Sequence, residues 1–300
     1  MKKILCIAFL TLTAAAQNAA PDPQYLQQIT EFRSQRAKSL SSPDGWLSLV
    51  ALQWLKPGDT TVGSAPGNTL HLDHAPAHLA TFRLANDNVS LVAPAGGFSA
   101  GTTLDGKPAA PAVLSHDDNH PSELRYDGLL MIVIKRGDRL YLRVKDAQAP
   151  TRTSFHGLNW YAPDPRFVVT AKWIPSNPQH TLNIPNVLGQ IGHEASPGVA
   201  EFALNGQTLR LEPVIEDPAD QKLFFIFRDT TSTTTTYQAG RFLYTSLPSN
   251  GLDKPGTVVL DFNRIQNPPC VYTAFATCPL PPQQNRLNVA IPAGEKRYHD

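Results

Sequence analysis

Short segments in which apolar and polar residues alternate recur along this chain about every ten residues, and this is the pattern of half-buried strands. Residues 80–84 (ATFRL) and 89–92 (VSLV) are examples. The chain also contains 27 prolines and 19 glycines, which interrupt helices and mark turns. The sequence therefore predicts an all-β protein.

Length and turn signals predict two β-sandwich or barrel-like units. The 300 residues exceed the usual size of one domain, and the predicted strands of a first unit end near residue 150. We therefore expect β units at residues 45–150 and 151–300. Asn205-Gly206 is the clearest hairpin turn of the second unit. Prolines become frequent after Gln266, which predicts an irregular, proline-rich C-terminal tail.

The first residues have the pattern of a secretory signal. Lys2 and Lys3 precede an apolar stretch at residues 4–13, and three alanines follow at residues 14–16. We expect a signal peptide at residues 1–16, cleavage before Gln17, and a periplasmic or secreted protein. No later apolar run approaches the roughly 20 residues that cross a bilayer, so the mature chain is predicted not to span a membrane.

Residues 17–44 are predicted to form an N-terminal helix and a linker. Asp22 followed by Pro23 is a typical helix start. One face of the predicted helix then carries Tyr25, Ile29, Phe32 and Arg36. This pattern indicates one short amphipathic helix ahead of the strands.

Charge and motifs narrow the function classes. The net charge of +1 creates no overall field that would attract nucleic acid, so we expect none as a partner. The sequence has no Gly-x-Ser-x-Gly elbow, zinc-protease helix, phosphate-binding loop or dinucleotide fingerprint. We therefore predict no cofactor, and whether the protein is an enzyme stays open.

Two stretches of the first unit resemble the forkhead-associated β-sandwich. These are residues 61–70, with Thr-Val-Gly-Ser and then Asn68, and residues 101–106 (GTTLDG). Ser64 stands where that family has its phosphate-contacting arginine, and the Ser-x-x-His element is missing. The resemblance therefore implies the fold and not phosphothreonine recognition.

A longer resemblance runs from Pro43 to Lys296. Its carriers include FHGL at residues 155–158, LDFNR at 260–264, NPPC at 267–270 and ATCPLPP at 276–282. These motifs resemble the bacterial domain-of-unknown-function family 1684. Membership of that family implies no activity and no catalytic or binding residues.

Two cysteines remain after removal of the predicted signal. Cys270 and Cys278 make an even number in a chain expected in an oxidising compartment, and this favours a disulfide. The alternative is a thiolate with a lowered pKa that acts as a nucleophile or a redox centre.

Polar residues are dense around these cysteines. Convergent polar groups in an apolar wall are typical of a small-ligand pocket. The alternative is a scaffold in which these side chains satisfy the backbone of an irregular tail. The candidate ligand-binding residues, called here the C-terminal polar set, are Arg241, Asp261, Asn263, Asn267, Asn285 and Arg286.

Histidines supply the remaining candidates. His156 is conceivable as a general base and as a ligand-binding residue, although no partner is identified. Residues 116–120 (HDDNH) and the group His71, Asp73, His74 and His78 contain metal-ligand types. Neither group follows a known ligand spacing, so we interpret both as solvated loops and predict no metal.

The favoured hypothesis is a non-catalytic protein of the cell envelope that binds a small molecule, glycan or peptide. The partner would be that ligand or another envelope protein. The alternative hypothesis is a hydrolase or thiol-dependent enzyme that uses Cys270 or His156.

Overall fold

The computed structural model describes residues 22–298, apart from residues 118, 217, 218 and 220 and the side chain of residue 179. The predicted signal peptide at residues 1–16 and its cleavage point lie outside the described residues.

Strands make up most of the described secondary structure, which confirms the all-β prediction. The helices are α1 (Pro23–Leu40) and the short α2 (Pro150–Thr153). The strands, in chain order, are β1 (Leu49–Trp54), β2 (Gly58–Gly63), β3 (Leu70–His71), β4 (Ala80–Ala85), β5 (Asn88–Val92), β6 (Thr103–Leu104), β7 (Lys107–Pro108), β8 (Ala112–Leu114), β9 (Leu124–Tyr126), β10 (Leu129–Arg136), β11 (Arg139–Asp146), β12 (Val168–Pro185), β13 (Ile191–Leu204), β14 (Gln207–Leu211), β15 (Lys222–Phe227), β16 (Arg241–Ser246) and β17 (Gly256–Asp261).

Two sheets enclose the core of the first half. One has the order β1-β11-β10-β9-β6-β7, and the other has the order β3-β2-β4-β5-β8. Met131 and Leu142 of the first sheet share one apolar cluster with Phe82 and Leu91 of the second. Alternate side chains of a strand point to opposite faces of the sheet. In β4, Phe82 is therefore buried in this core while the next residue, Arg83, is exposed.

A second core lies in the other half of the chain. A sheet with the order β14-β13-β12-β17 and the two-stranded sheet β15-β16 contribute to it. Trp173 of β12, Phe225 of β15 and Ile291 of the tail belong to the same buried cluster. The sheets of the two halves do not share strands, and the division into domains at residue 150 stays a prediction.

Hairpin turns follow the sequence signals. Asn205 and Gly206 both have positive φ, and they join β13 to β14 in the register Leu204 opposite Gln207. The two-residue turn of this type requires that backbone conformation, which asparagine and glycine tolerate best.

Strand β12 is longer than its sequence suggests. Residues 174–180 contain two prolines and read as a break between two strands, yet β12 continues from Val168 to Pro185. The pairing with β13 is irregular between Pro175 and His180. Such a bulge accommodates proline, which cannot donate to the hydrogen-bond ladder, without ending the strand.

The N-terminal helix packs against the C-terminal half. Asp22 caps α1 by accepting from the Gln24 amide at 3.1 Å, as the sequence predicts. The predicted face points to the tail: the Tyr25 hydroxyl donates to Asp261 at 2.9 Å, and Arg36 pairs with Glu295 at 3.1 Å. Helix α1 therefore contacts both the end of β17 and the tail.

The tail is irregular, as predicted. Residues 262–298 form short 3-10 turns at Phe262–Arg264, Pro269–Val271 and Gln283–Asn285. Among the described helices, none is long and apolar enough to cross a bilayer.

Candidate functional site

Arg241 is fully buried and lies at the start of β16. Its guanidinium is 2.7 Å from the carboxylate of Asp229, which is also fully buried. The same side chain donates to the carbonyl oxygens of Ile291, at 2.9 Å, and Ala293. Arg241 therefore ties β16 to the tail.

Asp261 and Asn263 bind the N-terminal helix and the segment before β12. Asn263 is fully buried and donates to the Tyr25 hydroxyl at 3.0 Å and to the Asp164 carbonyl oxygen at 2.9 Å. Asp261 accepts from Tyr25 and, at 3.0 Å, from Arg264. Burial and the nearby Asp261 carboxylate raise the pKa of Tyr25 well above its usual value.

Asn267 holds the last described residues. Its amide nitrogen donates to the carbonyl oxygen of Lys296 at 2.8 Å, and its backbone N–H donates to Glu295 at 2.7 Å. Glu295 in turn pairs with Arg36. Burial alone would lower the pKa of Arg36, but the adjacent Glu295 carboxylate raises it above the usual value.

Asn285 connects β14 and β15. Its side chain accepts from the Glu212 N–H at 2.9 Å, and it donates to the carbonyl oxygens of Glu212 at 2.8 Å and Ile226 at 3.0 Å. Arg286 is exposed, and His156 is exposed in the segment after α2.

The C-terminal polar set is thus not gathered in one cavity. Four of its members, Arg241, Asn263, Asn267 and Asn285, are almost fully buried and bond to backbone groups in different places. Irregular backbone needs such partners because its N–H and C=O groups lack a ladder. Asp261 and Asn263 share Tyr25 as a partner, whereas Arg241, Asn267 and Asn285 bond to other segments.

The two cysteines lie together in the tail. Both are thiols; Cys278 is buried, and Cys270 is half-buried. The Cys270 N–H donates to the Cys278 sulfur at 3.0 Å. A hydrogen bond from the Cys278 thiol lowers the pKa of Cys270 to about 7, and the Tyr237 hydroxyl adds to this effect. The predicted disulfide stays a prediction.

The histidine groups are placed on loops and strand ends. His71 contacts Asp73 at 3.0 Å, and His74 contacts Asp146 at 2.6 Å. Within the described residues, no three side chains of the histidine, cysteine, aspartate or glutamate types are grouped to hold a metal ion. Residue 118 of the HDDNH segment is not described.

A cavity of about 310 Å³ lies where α1, the β10–β11 hairpin, β16 and the tail meet. Three arginines line it: Arg36 of α1, and Arg136 and Arg143 of the β10–β11 hairpin. Trp46 and Tyr244 add aromatic rings to its wall. We call this cavity the arginine cleft.

Contacts around the arginine cleft fix its walls. The Arg143 guanidinium lies over the Trp46 ring, 5.3 Å from its centre. Arg136 donates to the Thr277 hydroxyl at 3.4 Å, and Tyr244 donates to Glu216 at 3.0 Å. Burial, followed by the Glu216 carboxylate, raises the pKa of Tyr244 well above its usual value. Tyr244 therefore remains an un-ionised hydroxyl at ordinary pH.

The cleft extends into two neighbouring cavities. Glu216 and Tyr244 also line a cavity of about 820 Å³ along β16 and β17. Arg136 and Thr277 also line a cavity of about 310 Å³ beside the tip of the β12–β13 hairpin. Shared lining residues make the three cavities adjoin. Glu216 lines all three of them, and the three arginines lie in the middle one.

Sequence reasoning missed Arg136 and Arg143. Arg143 alternates with the buried Leu142 and Val144 in β11, which is the ordinary pattern of a solvent-facing strand residue. Its face is covered only because the second half of the chain lies against it. The one sequence signal that could have pointed to a cleft here was Trp46, which lies just before β1.

A family match is located in the C-terminal half. Residues 153–296 match the family described as Protein of unknown function (DUF1684). The resemblance is confirmed for this segment. The DUF1684 segment contains Tyr244 and both cysteines, whereas Arg36, Arg136 and Arg143 precede it.

Several solved structures are similar to parts of the chain. One is the solution structure of an uncharacterised protein from Haloarcula marismortui, which is 29% identical in sequence. The match covers 48% of this chain and 78% of that chain, with a TM-score of 0.41. Two others are forkhead-associated domains with 16% identity and TM-scores of 0.21, each covering 31% of this chain. The first comes from a structural and functional analysis of phosphothreonine-dependent interactions, and the match covers 92% of its chain. The second is the FhaA domain in a complex, and the match covers 97% of its chain. No curated protein matches the sequence.

Proposed function

We propose that this protein is an exported, non-catalytic binding protein of the cell envelope whose arginine cleft takes a small organic anion. The observation that carries the proposal is that Arg36 of α1 and Arg136 and Arg143 of the β10–β11 hairpin line one cavity of about 310 Å³. This volume lies at the lower end of the range for small-molecule pockets.

The chemistry of the wall favours an anion with an unsaturated or apolar part. A guanidinium presents a rigid fork of donors that matches a carboxylate, sulfate or phosphate group. Arg36 pairs with Glu295 at 3.1 Å, and Arg136 and Arg143 add two further guanidinium groups to the wall. Trp46 and Tyr244 offer aromatic surface to the rest of the ligand.

The half-buried position of the cleft arginines strengthens their attraction for an anion. Arg136 and Arg143 are half-buried, and Coulomb interactions near a protein surface are several times stronger than in bulk water. A ligand that fills the cleft would also exclude water from these groups. Fully exposed arginines, such as Arg166, lack this advantage.

Calorimetric titration of the purified protein tests the proposal. The first pair of probes is benzoate and its neutral counterpart benzamide, followed by small sulfates and phosphates. We expect benzoate or another anion to bind and its neutral counterpart not to bind. The substitutions Arg136→Gln and Arg143→Gln should each weaken binding by about tenfold or more, which corresponds to one charge-assisted contact.

Arg139→Gln is the matched control. Arg139 is paired with Arg136 in the β10–β11 ladder, but it lies over the Trp54 ring and does not line the cleft. The Arg139→Gln substitution removes one positive charge from the same hairpin as Arg136→Gln does. Equal losses in the Arg136 and Arg139 variants, or equal binding of benzoate and benzamide, would refute a specific site.

Export is tested separately by fractionation and N-terminal sequencing of the protein from its host. The expected product is periplasmic or secreted and begins at Gln17, because residues 1–16 have the signal pattern. A protein that keeps Met1 and stays in the cytosolic fraction would contradict this part of the proposal.

A thiol-dependent enzyme is the second candidate, favoured by the lowered pKa of Cys270. The groups that lower this pKa are Cys278 and Tyr237, whereas thiol hydrolases pair the nucleophile with a histidine base. Turnover of an activated ester that disappears in Cys270→Ser would favour this candidate over simple binding.

A further inference from the structure

The two thiols of the tail differ in their surroundings. Cys270 belongs to the Pro269–Val271 turn and is half-buried, while Cys278 is only 3% exposed. The Cys270 N–H and the Cys278 sulfur are 3.0 Å apart. The two cysteines are therefore neighbours in the folded tail.

The two cysteines line different cavities: Cys278 lines the arginine cleft, and Cys270 lines another. The second cavity measures about 450 Å³ and is lined by Cys270 but not by Cys278. Leu52, Tyr141, Val187 and Leu188 make its wall largely apolar. Leu188 is 50% exposed and Phe275, at the same cavity, is 39% exposed. A small organic molecule can therefore reach Cys270 from solvent.

The pKa shifts of the two thiols also differ, and they favour ionisation of Cys270 over Cys278. The Cys278 thiol and the Tyr237 hydroxyl, which lies 3.6 Å from the Cys270 sulfur, both stabilise a thiolate at Cys270. The pKa of Cys278 is raised by its hydrogen bond to Cys270 and by burial. The cysteine that ionises more readily is therefore the one that lines the apolar cavity.

We propose that Cys270 and Cys278 form a reversible dithiol–disulfide pair in which Cys270 attacks a small organic disulfide that enters the apolar cavity. This goes beyond a static disulfide, because it assigns the attacking sulfur, its partner and the class of reactant. It does not depend on anion binding in the arginine cleft, which Cys278 also lines.

The steps balance as two exchanges. The Cys270 thiolate attacks one sulfur of the organic disulfide; a new S–S bond forms, the old one breaks, and the first organic thiolate leaves and takes up a proton. Cys278 then loses its proton and attacks the Cys270 sulfur, and the second organic thiol leaves. The two protein thiols are oxidised to a disulfide, and the organic disulfide is reduced to two thiols.

Bis(2-hydroxyethyl) disulfide is a suitable probe because it is small and uncharged. The reduced full protein is incubated with it at pH 7 and followed by intact-protein and peptide mass spectrometry. We expect the wild type to form the Cys270–Cys278 disulfide. Cys278→Ser should stop at a mixed disulfide on Cys270, and Cys270→Ser should react at least about tenfold more slowly.

Two further measurements keep the test decisive if a cysteine variant fails to fold. Brief alkylation of the reduced wild type with iodoacetamide should label Cys270 in preference to Cys278, and guanidinium chloride should abolish this preference. Tyr237→Phe should slow labelling at pH 7 but not at pH 9.5, because it removes a donor to the thiolate.

The proposal would be overturned by equal labelling of the two cysteines in the folded wild type. It would also be overturned if the folded Cys278→Ser variant formed no mixed disulfide, or if the wild type kept mixed adducts without closing the protein disulfide.

Discussion

The C-terminal polar set and the arginine cleft both contain arginine side chains away from bulk water, but the surroundings of these side chains differ. Arg241 is fully buried and is bonded to Asp229 and to the carbonyl oxygens of Ile291 and Ala293. Arg136 and Arg143 are half-buried and line a cavity. The Arg241 guanidinium is enclosed by its partners within the fold, whereas Arg136 and Arg143 also border a cavity.

The difference shows why a dense polar motif is an uncertain guide to a binding site. Buried polar groups must be hydrogen-bonded, and an irregular tail has many backbone groups that need partners. Asparagine and arginine near proline therefore serve structure first. A binding site needs polar groups whose surroundings leave room for a ligand, and only the packing of separate segments creates that room.

The largest expected effect is the loss of stability in Arg241→Met. This substitution leaves Asp229 buried without its ion-pair partner, which typically costs about 3 to 5 kcal/mol of unfolding free energy. Denaturant unfolding of the variant measures the change. The arginine cleft should keep its affinity for the anion in variants that remain folded.

Arg166→Met is the matched control for Arg241→Met. Arg166 pairs with Asp164 at 2.6 Å, nearly the same distance as in the buried pair, but its side chain is 75% exposed. Exposed ion pairs contribute little to stability, so little change is expected. Similar losses in both variants would show that burial does not separate the two regions.

Asn285→Ala should have the next largest effect on stability. It removes the bonds to Glu212 and Ile226 and leaves buried backbone groups without partners, at about 1 to 3 kcal/mol. Asn250→Ala is the control, since Asn250 donates to the Pro255 carbonyl oxygen in an exposed loop where water can replace it. An unchanged unfolding midpoint for Asn285→Ala would refute its structural role.

Arg136→Gln should change the unfolding free energy by only about 0.5 kcal/mol, as is usual for partly exposed positions. Its effect should be on anion affinity instead. Unfolding and calorimetric titration of the same preparation measure both quantities. A large loss of stability without a change in anion affinity would show that Arg136, like Arg241, has a structural role. The proposed difference between the arginine cleft and the C-terminal polar set would then be wrong.

The smallest effect is a pH dependence at His74. The hydrogen bond to Asp146 at 2.6 Å raises the pKa of His74. Its contribution to stability is therefore fully present below about pH 6, the region under the usual histidine pKa. It is lost as the pH rises through the raised value in the folded state.

The difference in unfolding free energy between the wild type and His74→Gln should accordingly shrink between about pH 5.5 and pH 8.5. Chemical unfolding at a series of pH values gives this difference. A constant difference over that range would contradict the assignment.

Local signals were sufficient for several elements. Asp22 and Pro23 predicted the start of α1, because a capping carboxylate and a proline at the first position satisfy a helix end. Asn205 and Gly206 predicted a hairpin through their tolerance of positive φ. Both depend on neighbouring residues only.

Other features required contacts that are distant in sequence. The prolines near residue 175 indicated a strand end, but the long partner β13 carries β12 through a bulge. The polar set suggested a pocket, because its backbone partners in the tail could not be identified from spacing. Tyr25 and Arg36 gave no sign that they would bind Asp261 and Glu295.

The sequence by itself determined the all-β character, the helix start, the hairpin turns and the irregular tail, since these follow from periodicity, caps and proline content. Only the tertiary structure decided that members of the polar set bond to separate backbone segments and that Arg36, Arg136 and Arg143 meet at one cavity. The reason is that a cavity is bounded by segments more than a hundred residues apart. No local pattern specifies the surface that another part of the chain will cover.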